Sequence, residues 1–200
     1  MKTAVQTVEV REAILDATDD FLARFGYKKM TIDNLAQVVG IGKGSIYLHF
    51  ASKEEIALSH VDRIVERLKT ELKIITAQDA SPAERLRQML ILRVMHRFDS
   101  VQHYTQSLND ILSAIRPKLL ARRKIYFEEE AEIFATVVEE GQKKNHFQSG
   151  DALEISKTFL LATNSLLPFS LTAQELGLRE EIEAKTLRIA EILLKGIKQI

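Results

Sequence analysis

The sequence predicts an all-α protein with a small N-terminal head of three short helices, followed by a larger body of long helices. Apolar residues recur at spacings of three and four along most of the chain, and no alternating apolar–polar run suggests a strand. Only three prolines interrupt the 200 residues, so long helices are expected. Near residue 51, short helices punctuated by glycine give way to long amphipathic ones. We therefore expect a first domain over residues 1–51 and a second over residues 52–200.

The head contains three predicted helices. The first runs from about residue 8 to Phe25, and Gly26 suits the left-handed conformation that ends a helix. Thr31 can cap a second helix that ends at Gly40, and a third runs from about residue 43 to 50. Two short helices joined by a glycine-containing turn constitute a helix-turn-helix. The inward-facing apolar positions are Ile14, Ala17, Phe21, Leu22, Phe25, Ile32, Leu35, Ala36, Val39, Ile46 and Phe50.

The body opens with capping boxes at Ser52 and at Ser81, where a serine hydroxyl and a glutamate three residues later satisfy backbone amides. The pattern suggests a break at residues 98–100, and Pro117 is expected to begin a new helix. The expected helices cover about residues 52–75, 81–98, 101–115, 117–144, 152–167 and 179–200, with Asp151 as a cap and Pro168 as a terminator.

Composition excludes several classes of function. Basic and acidic residues each number 28, so bulk charge predicts neither a nucleic-acid nor a membrane partner. The charge is uneven, however, because residues 24–53 hold five basic residues and one acid, Asp33. The absence of cysteine excludes disulfides, thiolate metal sites and cysteine nucleophiles. No phosphate-binding glycine loop, zinc-protease motif or nucleophile elbow is present, so we expect no enzyme, no cofactor and no metal site.

The sequence shows no sign of a membrane or export segment. No apolar run approaches the roughly 18 residues that a transmembrane helix needs, and the first residues lack the apolar core of a signal peptide. We expect a cytoplasmic protein with no membrane partner.

The head carries apolar, glycine, aromatic and capping positions in a specific order. They lie in residues 31–36 (TIDNLA), 40–50 (GIGKGSIYLHF) and 52–54 (SKE). Together with the preceding helix, this segment resembles the DNA-binding head of the TetR family of bacterial transcriptional regulators. Gly42 departs from the pattern, since the family often has serine or threonine there. The resemblance implies a sequence-specific DNA-binding regulator, expected to be a repressor that a small-molecule effector releases from its operator.

The predicted DNA contacts lie at and around the third helix of the head. The first residues of a recognition helix lie nearest the base edges, where Lys43 can donate to guanine or to a phosphate, and Gly44 permits close approach. The family pattern assigns Tyr47 and His49 to phosphates or adjacent bases, although Tyr47 packing on the first helix is an alternative. Leu48 either contacts a thymine methyl or is apolar surface. The predicted contacts are Thr31, Lys43, Gly44, Ser45, Tyr47, Leu48, His49 and Lys53.

A single head makes few contacts to DNA, so we expect a homodimer on a palindromic operator. The last helix and the helix over residues 152–167 are each apolar on more than one side, which usually indicates two packing partners. We expect both helices to form a four-helix interface with their copies, and a monomeric core is the alternative. The predicted interface residues are Ile155, Phe159, Leu166, Ile189, Leu193 and Ile197.

The middle helices carry the candidate effector site. Methionine and aromatic side chains with a few polar tips are typical of a small-molecule pocket, and the resemblance implies an effector there. The same residues at helical spacing are also the usual composition of a core, so both interpretations stay open. The run over residues 128–130 is interpreted as a solvated acidic stretch, and the alternative is that one of its carboxylates meets a cationic ligand. The candidate ligand-binding residues are Met89, His96, His103, Tyr104, Tyr126, Phe127 and Phe134.

Two other functions compete with a repressor released by a ligand. A DNA-bound protein controlled by a protein partner would have a body without an accessible cavity. An α-helical enzyme or carrier would show a polar titratable cluster in a cleft, and an acidic surface near Lys43.

Overall fold

The structure, a computed structural model, describes residues 2–102, 108–168 and 173–199, and the described residues are predominantly helical. Within these ranges an isolated bridge between Phe147 and Lys198 is the one strand-like pairing, and no helix has the length and hydropathy needed to cross a bilayer. The all-α prediction is confirmed. The helices are α1 (Lys2–Phe25), α2 (Ile32–Val39), α3 (Lys43–Tyr47), α4 (Lys53–Thr76), α5 (Pro82–Val101), α6 (Leu108–Lys143), α7 (Ala152–Thr163) with a 3-10 turn (Asn164–Leu166), α8 (Ala173–Leu176) and α9 (Arg179–Ile197).

The predicted helix caps form as the sequence indicates. The hydroxyl of Thr31 accepts a hydrogen bond from the backbone amide of Asn34 at 3.1 Å, and Ser52 and Ser81 each accept one from the amide three residues later at 3.2 Å. Asp151 accepts from two amides at the start of α7. These short-range signals therefore determine where α2, α4, α5 and α7 begin.

Several helix boundaries differ from the sequence prediction. α5 continues through residues 98–100, where the hydroxyl of Ser100 donates to the carbonyl of His96 at 2.6 Å, a bond that serine can make inside a helix. Pro117 lies inside α6, not at its start. Both Pro117 and Ser113, whose carbonyl loses its amide partner, are exposed, so water can hydrate that carbonyl. α1 begins at Lys2, and α3, α7 and α9 end earlier than predicted.

The chain divides into two compact units. The first unit comprises the described parts of residues 1–63 and 103–119, and the second comprises those of residues 64–102 and 120–200. The predicted domain boundary between residues 51 and 52 stays a prediction.

Each unit has its own apolar core. In the first unit, Ile14, Leu22, Leu35, Ile46 and Phe50 are at most 2% exposed, as their spacing predicts. Phe25 was expected to face inward but is 55% exposed, because α1 ends there; its ring lies 4.8 Å from that of Phe21. In the second unit the buried core includes Leu68, Met89, Val94, Phe98, Phe134, Phe159, Leu166, Ile182 and Leu194.

Candidate nucleic-acid interface

α3 presents an exposed face that is anchored from beneath. Ile46 and Phe50 are buried in the core of the first unit, so the opposite side of this short helix must face solvent. Tyr47 is 50% exposed and Leu48 is 85% exposed. Lys43 and Gly44 are exposed as well, while Ser45 and His49 are half-buried. The exposed residues 43, 44, 47 and 48 form what we call the recognition face.

The turn before α3 contains glycines with different roles. Gly40 has a φ of 75°, a left-handed conformation that other residues adopt only with strain. Gly42, by contrast, has a φ of −73° and caps α3 without a side-chain hydrogen bond. A Cβ added to Gly42 or to Gly44 would meet nothing within 4 Å. The fold therefore requires glycine at position 40 and leaves the backbone at positions 42 and 44 open to an approaching molecule.

Lys43 is held by an acid that the sequence analysis counted only as a charge. The ammonium of Lys43 lies 2.9 Å from a carboxylate oxygen of Asp33, and both side chains are largely exposed. The hydrogen bond and the charge of Asp33 raise the pKa of Lys43 above its ordinary value. Asp33 lies in the first turn of α2 and Lys43 is the first residue of α3. The only sequence signal for this pair was that Asp33 is the one acid between residues 24 and 53.

Lys53 is held differently, by an aromatic ring. Its ammonium lies 4.1 Å from the ring centroid of Tyr27, a cation–π contact. The hydroxyl of Tyr27 donates to Glu54 at 3.5 Å, and burial followed by the Glu54 charge raises the pKa of Tyr27 to about 12. Burial lowers the pKa of Lys53. Tyr27 is a site residue that the sequence analysis missed, although its position directly after Gly26 marked the end of the helix.

Thr31, the remaining predicted phosphate contact, is exposed and already in use as the cap of α2. Its hydroxyl accepts from the Asn34 amide, so a phosphate would have to share that group. In the described residues no three histidine, aspartate or glutamate side chains cluster so as to hold a metal ion.

Part of the first unit matches the model of a known protein family. Residues 14–59 match the bacterial regulatory proteins of the tetR family. The match covers 46 of the 200 residues, so it concerns the helix-turn-helix segment of the chain. The match begins in the middle of α1 and ends in α4, so it contains α2, α3 and all of the predicted DNA contacts.

Curated relatives extend the match only a little further. The chain is 36% identical over 67 residues to an uncharacterized HTH-type transcriptional regulator, YhgD, of Bacillus subtilis, covering 34% of this chain and 33% of that protein. It is 29% identical over 103 residues to the HTH-type transcriptional repressor KstR2 of Mycobacterium tuberculosis, covering 52% and 50%. The chain thus aligns with a third to a half of the length of these relatives.

The whole fold resembles solved structures. A transcriptional regulator from Cytophaga hutchinsonii superposes with a TM-score of 0.78 over 94% of this chain and 97% of its own, at 22% identity. At that identity the likeness concerns the fold alone, so the ligand chemistry of the second unit must be argued from its own residues.

The predicted effector residues fall in different places within the second unit. Met89 and Phe134 are fully buried in its core, Tyr126 is 9% exposed and Phe127 packs against the core. His103 and Tyr104 lie outside the described residues. Of the predicted residues that the structure describes, only His96 lines the groove of about 560 Å³ between α4, α5 and α9.

That groove combines an apolar floor with a charged rim. Ile91, Leu92 and Met95 line it, together with Glu71 and a bidentate ion pair between Arg179 and Asp99 at 2.9 and 3.0 Å. The ring of His96 lies 3.1 Å from the carbonyl of Ile64 and 3.5 Å from the carboxylate of Glu71. The groove is a candidate site for a small polar molecule with an apolar part.

A buried ion network in the second unit corrects one interpretation. Glu130 was assigned to a solvated acidic run but is 1% exposed, because it faces Arg93 at 2.8 Å and also pairs with Arg97. Arg93 further donates to the Leu160 carbonyl at 3.1 Å and to the Thr163 hydroxyl at 2.8 Å. These bonds occupy groups at the end of α7, where the chain changes to a 3-10 turn earlier than predicted.

The predicted interface residues face the chain's own core to different degrees. Phe159 and Leu166 are 1% and 9% exposed, so they pack within this chain and offer little surface to a second copy. Ile155, Ile189, Leu193 and Ile197 are partly buried against the same cores. The exposed apolar residues of α7 and α9 are instead Leu161, Leu187 and Ile192, which the sequence analysis did not select for the interface.

Proposed function

We propose that this chain is a DNA-binding transcriptional regulator that binds a palindromic operator as a homodimer. The observation that carries the proposal is the recognition face: a short helix, anchored by Ile46 and Phe50, that exposes Lys43, Tyr47 and Leu48. In a helix-turn-helix this helix enters the major groove. We further propose that residues 1–51 form the DNA-binding domain and residues 52–200 the effector and dimerisation domain, without catalytic activity and in the cytoplasm.

Each residue of the recognition face has a role that its chemistry supports. Lys43 can donate to guanine O6 and N7, and Gly44 lets the backbone approach closely. The 85% exposure of Leu48 leaves an apolar side chain free to contact a thymine methyl. Tyr47 reaches outward as well, which favours its interpretation as a DNA contact over packing on α1. Ser45 and His49 are assigned to neighbouring bases or phosphates, and Thr31 and Lys53 to phosphates.

The homodimer rests on the geometry of the operator and on exposed apolar surface. Two recognition helices must lie about 34 Å apart to enter successive major grooves. Leu161, Leu187 and Ile192 leave apolar side chains uncovered on α7 and α9, and a second copy would bury them. This selection replaces Phe159 and Leu166 as the central interface residues.

We propose that a small-molecule effector controls DNA binding, and the groove around His96 supports this. Its apolar floor and charged rim have the composition of a ligand site. An effector needs to favour the conformation that cannot bind DNA by only a few kcal/mol. DNA affinity that no compound in a metabolite library alters would favour a protein partner instead.

The test is an electrophoretic mobility shift with genomic fragments at two salt concentrations. We expect salt-sensitive retardation by the wild-type protein and its loss in the double variant Lys43→Ala, Tyr47→Ala, with the melting temperature unchanged. Lys185→Ala removes an exposed lysine from α9 and serves as the matched control. Wild-type protein that retards no fragment at low salt would end the proposal.

A further inference from the structure

Lys43 is the only basic residue of α3, and it is already paired within the protein. Its ammonium lies 2.9 Å from Asp33, a residue on the preceding helix α2. The side chains are 50% and 69% exposed, so the pair contributes little to stability. Its position at the start of the recognition face suggests a role in DNA binding rather than in folding.

A free lysine on a DNA-binding surface attracts any phosphate. Its flexible stem and point charge pair with phosphates regardless of sequence, and such contacts supply most of the non-specific affinity. The Asp33 carboxylate opposes this, because a Lys43 ammonium that turns to a phosphate leaves an unpaired carboxylate close to the polyanion.

Contact with a base has a smaller cost, because guanine O6 and N7 are neutral acceptors, so the Asp33 carboxylate beside the ammonium does not face the full negative charge of a phosphate. An ammonium carries three donors, so Lys43 can keep its bond to Asp33 while donating to guanine O6 and N7 in the major groove. The pair thus disfavours one use of the lysine and permits the other. The difference in affinity between base-contacting and phosphate-contacting binding determines specificity.

We propose that Asp33 is a specificity-determining positioning residue, which holds the Lys43 ammonium at the recognition face and away from non-specific phosphates. This inference rests on the proposed function, since it requires that the recognition face binds DNA. Asp33 itself need not contact the DNA.

The test uses the full-length protein, a random-sequence 30-base-pair duplex and the variant Asp33→Asn, with binding measured across a range of KCl concentrations. We expect Asp33→Asn to bind the random duplex about 3- to 10-fold more tightly. The slope of log affinity against log salt should become steeper by about one, the change expected for one additional phosphate contact. Selection from a randomised duplex pool should give a less sharply defined site than with wild type. Asp33→Glu, which keeps the charge, should restore the wild-type slope.

Two controls isolate the pair from net charge. Asp20→Asn removes an exposed acid from α1 and should leave both the slope and the selected site unchanged. In a Lys43→Ala background, Asp33→Asn should have no further effect. An equal gain in that background would show that Asp33 acts through its own charge alone, which would overturn the proposal.

The two levels of inference fail differently. If wild type binds DNA but Asp33→Asn matches it in affinity, slope and selected site, only the role of Asp33 is wrong. If wild type binds neither the random duplex nor any member of the pool, the proposed function fails and the inference fails with it.

Discussion

The two units use charged residues in opposite ways. In the first unit Lys43 is exposed and pairs with Asp33, and the half-buried Lys53 lies over the ring of Tyr27. In the second unit Arg93, Arg97 and Glu130 are buried and share hydrogen bonds across α5, α6 and α7. Surface charges can exchange partners at little cost, whereas buried charges cannot. The first arrangement suits recognition and the second holds helices in place.

The pKa values of Arg93 and Glu130 shift in the directions that burial and ion pairing predict. Burial lowers the pKa of Arg93 to about 10, so the guanidinium stays charged at neutral pH. Burial alone would raise the pKa of Glu130, but Arg97 and Arg93 outweigh it and the pKa falls below its ordinary value. Arg93 and Glu130 are therefore both ionised in the folded protein at neutral pH.

The largest effect on stability is expected from removing the carboxylate of Glu130, which Arg93 and Arg97 share. Glu130→Gln leaves two buried guanidiniums without their counter-charge, and we expect the free energy of unfolding in urea to fall by about 3–5 kcal/mol. Glu132→Gln changes an exposed glutamate of the same helix and should cost less than about 0.5 kcal/mol. Equal losses in both variants would mean that the network does not hold the second unit together.

A glycine in the second unit tests close packing. A Cβ on Gly141 would lie 2.1 Å from the ring of Phe147, so Gly141→Ala must displace a buried aromatic side chain. We expect a loss of about 1–3 kcal/mol in the same unfolding measurement. Gly196→Ala is the control, because a Cβ there meets nothing within 4 Å and should stabilise α9 by up to about 1 kcal/mol. A Gly141→Ala variant as stable as wild type would contradict this packing.

The turn of the first unit tests backbone conformation instead of packing. Gly40→Ala places a side chain at a φ of 75° and should cost about 1–2 kcal/mol. Gly42→Ser adds a capping hydroxyl to α3 at an unstrained position and should stabilise by a few tenths of a kcal/mol. The melting temperatures of the two variants should therefore shift in opposite directions. Shifts of the same sign would show that backbone φ does not determine which residues the turn tolerates.

The cation–π contact of Lys53 predicts a smaller change, in DNA affinity. Tyr27→Leu removes the ring beneath the ammonium, worth about 0.5–1 kcal/mol, and should weaken binding about 2- to 5-fold. Tyr27→Phe keeps the ring and loses only a 3.5 Å hydrogen bond to Glu54, so its affinity should stay near wild type. Mobility-shift titrations of the two variants distinguish the effect of the ring from that of the hydroxyl. Equal affinities would show that the Tyr27 ring does not contribute to DNA binding.

The smallest expected effect concerns pH and the second unit. Hydrogen bonds from Arg85 and Lys144 lower the pKa of Glu140 from 4.5 to about 2. The unfolded chain therefore binds more protons than the folded one between these values, and stability falls as the pH drops from about 4.5 towards 2. Because the Glu140 side chain is partly exposed, Glu140→Gln should reduce this loss of unfolding free energy by no more than about 1 kcal/mol. Urea titrations at pH 5, 4 and 3 measure the unfolding free energy of both proteins. An equal decline in wild type and variant would show that Glu140 does not contribute to the pH dependence.

The sequence was informative wherever a signal acts over a few residues. The caps at Thr31, Ser52, Ser81 and Asp151, the left-handed Gly40 and the exposure of the recognition face all follow from neighbouring residues. Gly141 is a point of close packing against the ring of Phe147.

Sequence reasoning failed where the partner is distant along the chain. Glu130 looks like its acidic neighbours until Arg93, 37 residues earlier, is packed against it. Phe159 and Leu166 look like interface residues until the core of the same chain covers them. Pro117 looks like a helix start until its exposed position shows that the lost hydrogen bond can be replaced by water.

By itself, the sequence determined the helical class, the helix-turn-helix and its resemblance to the DNA-binding head of the TetR family, because periodicity, caps and glycine turns are local properties of the chain. The tertiary structure decided which charges are buried, which apolar faces remain uncovered, and that the recognition lysine is paired with Asp33. Those features depend on which helices come together, and helix packing brings residues into contact that no spacing along the chain identifies.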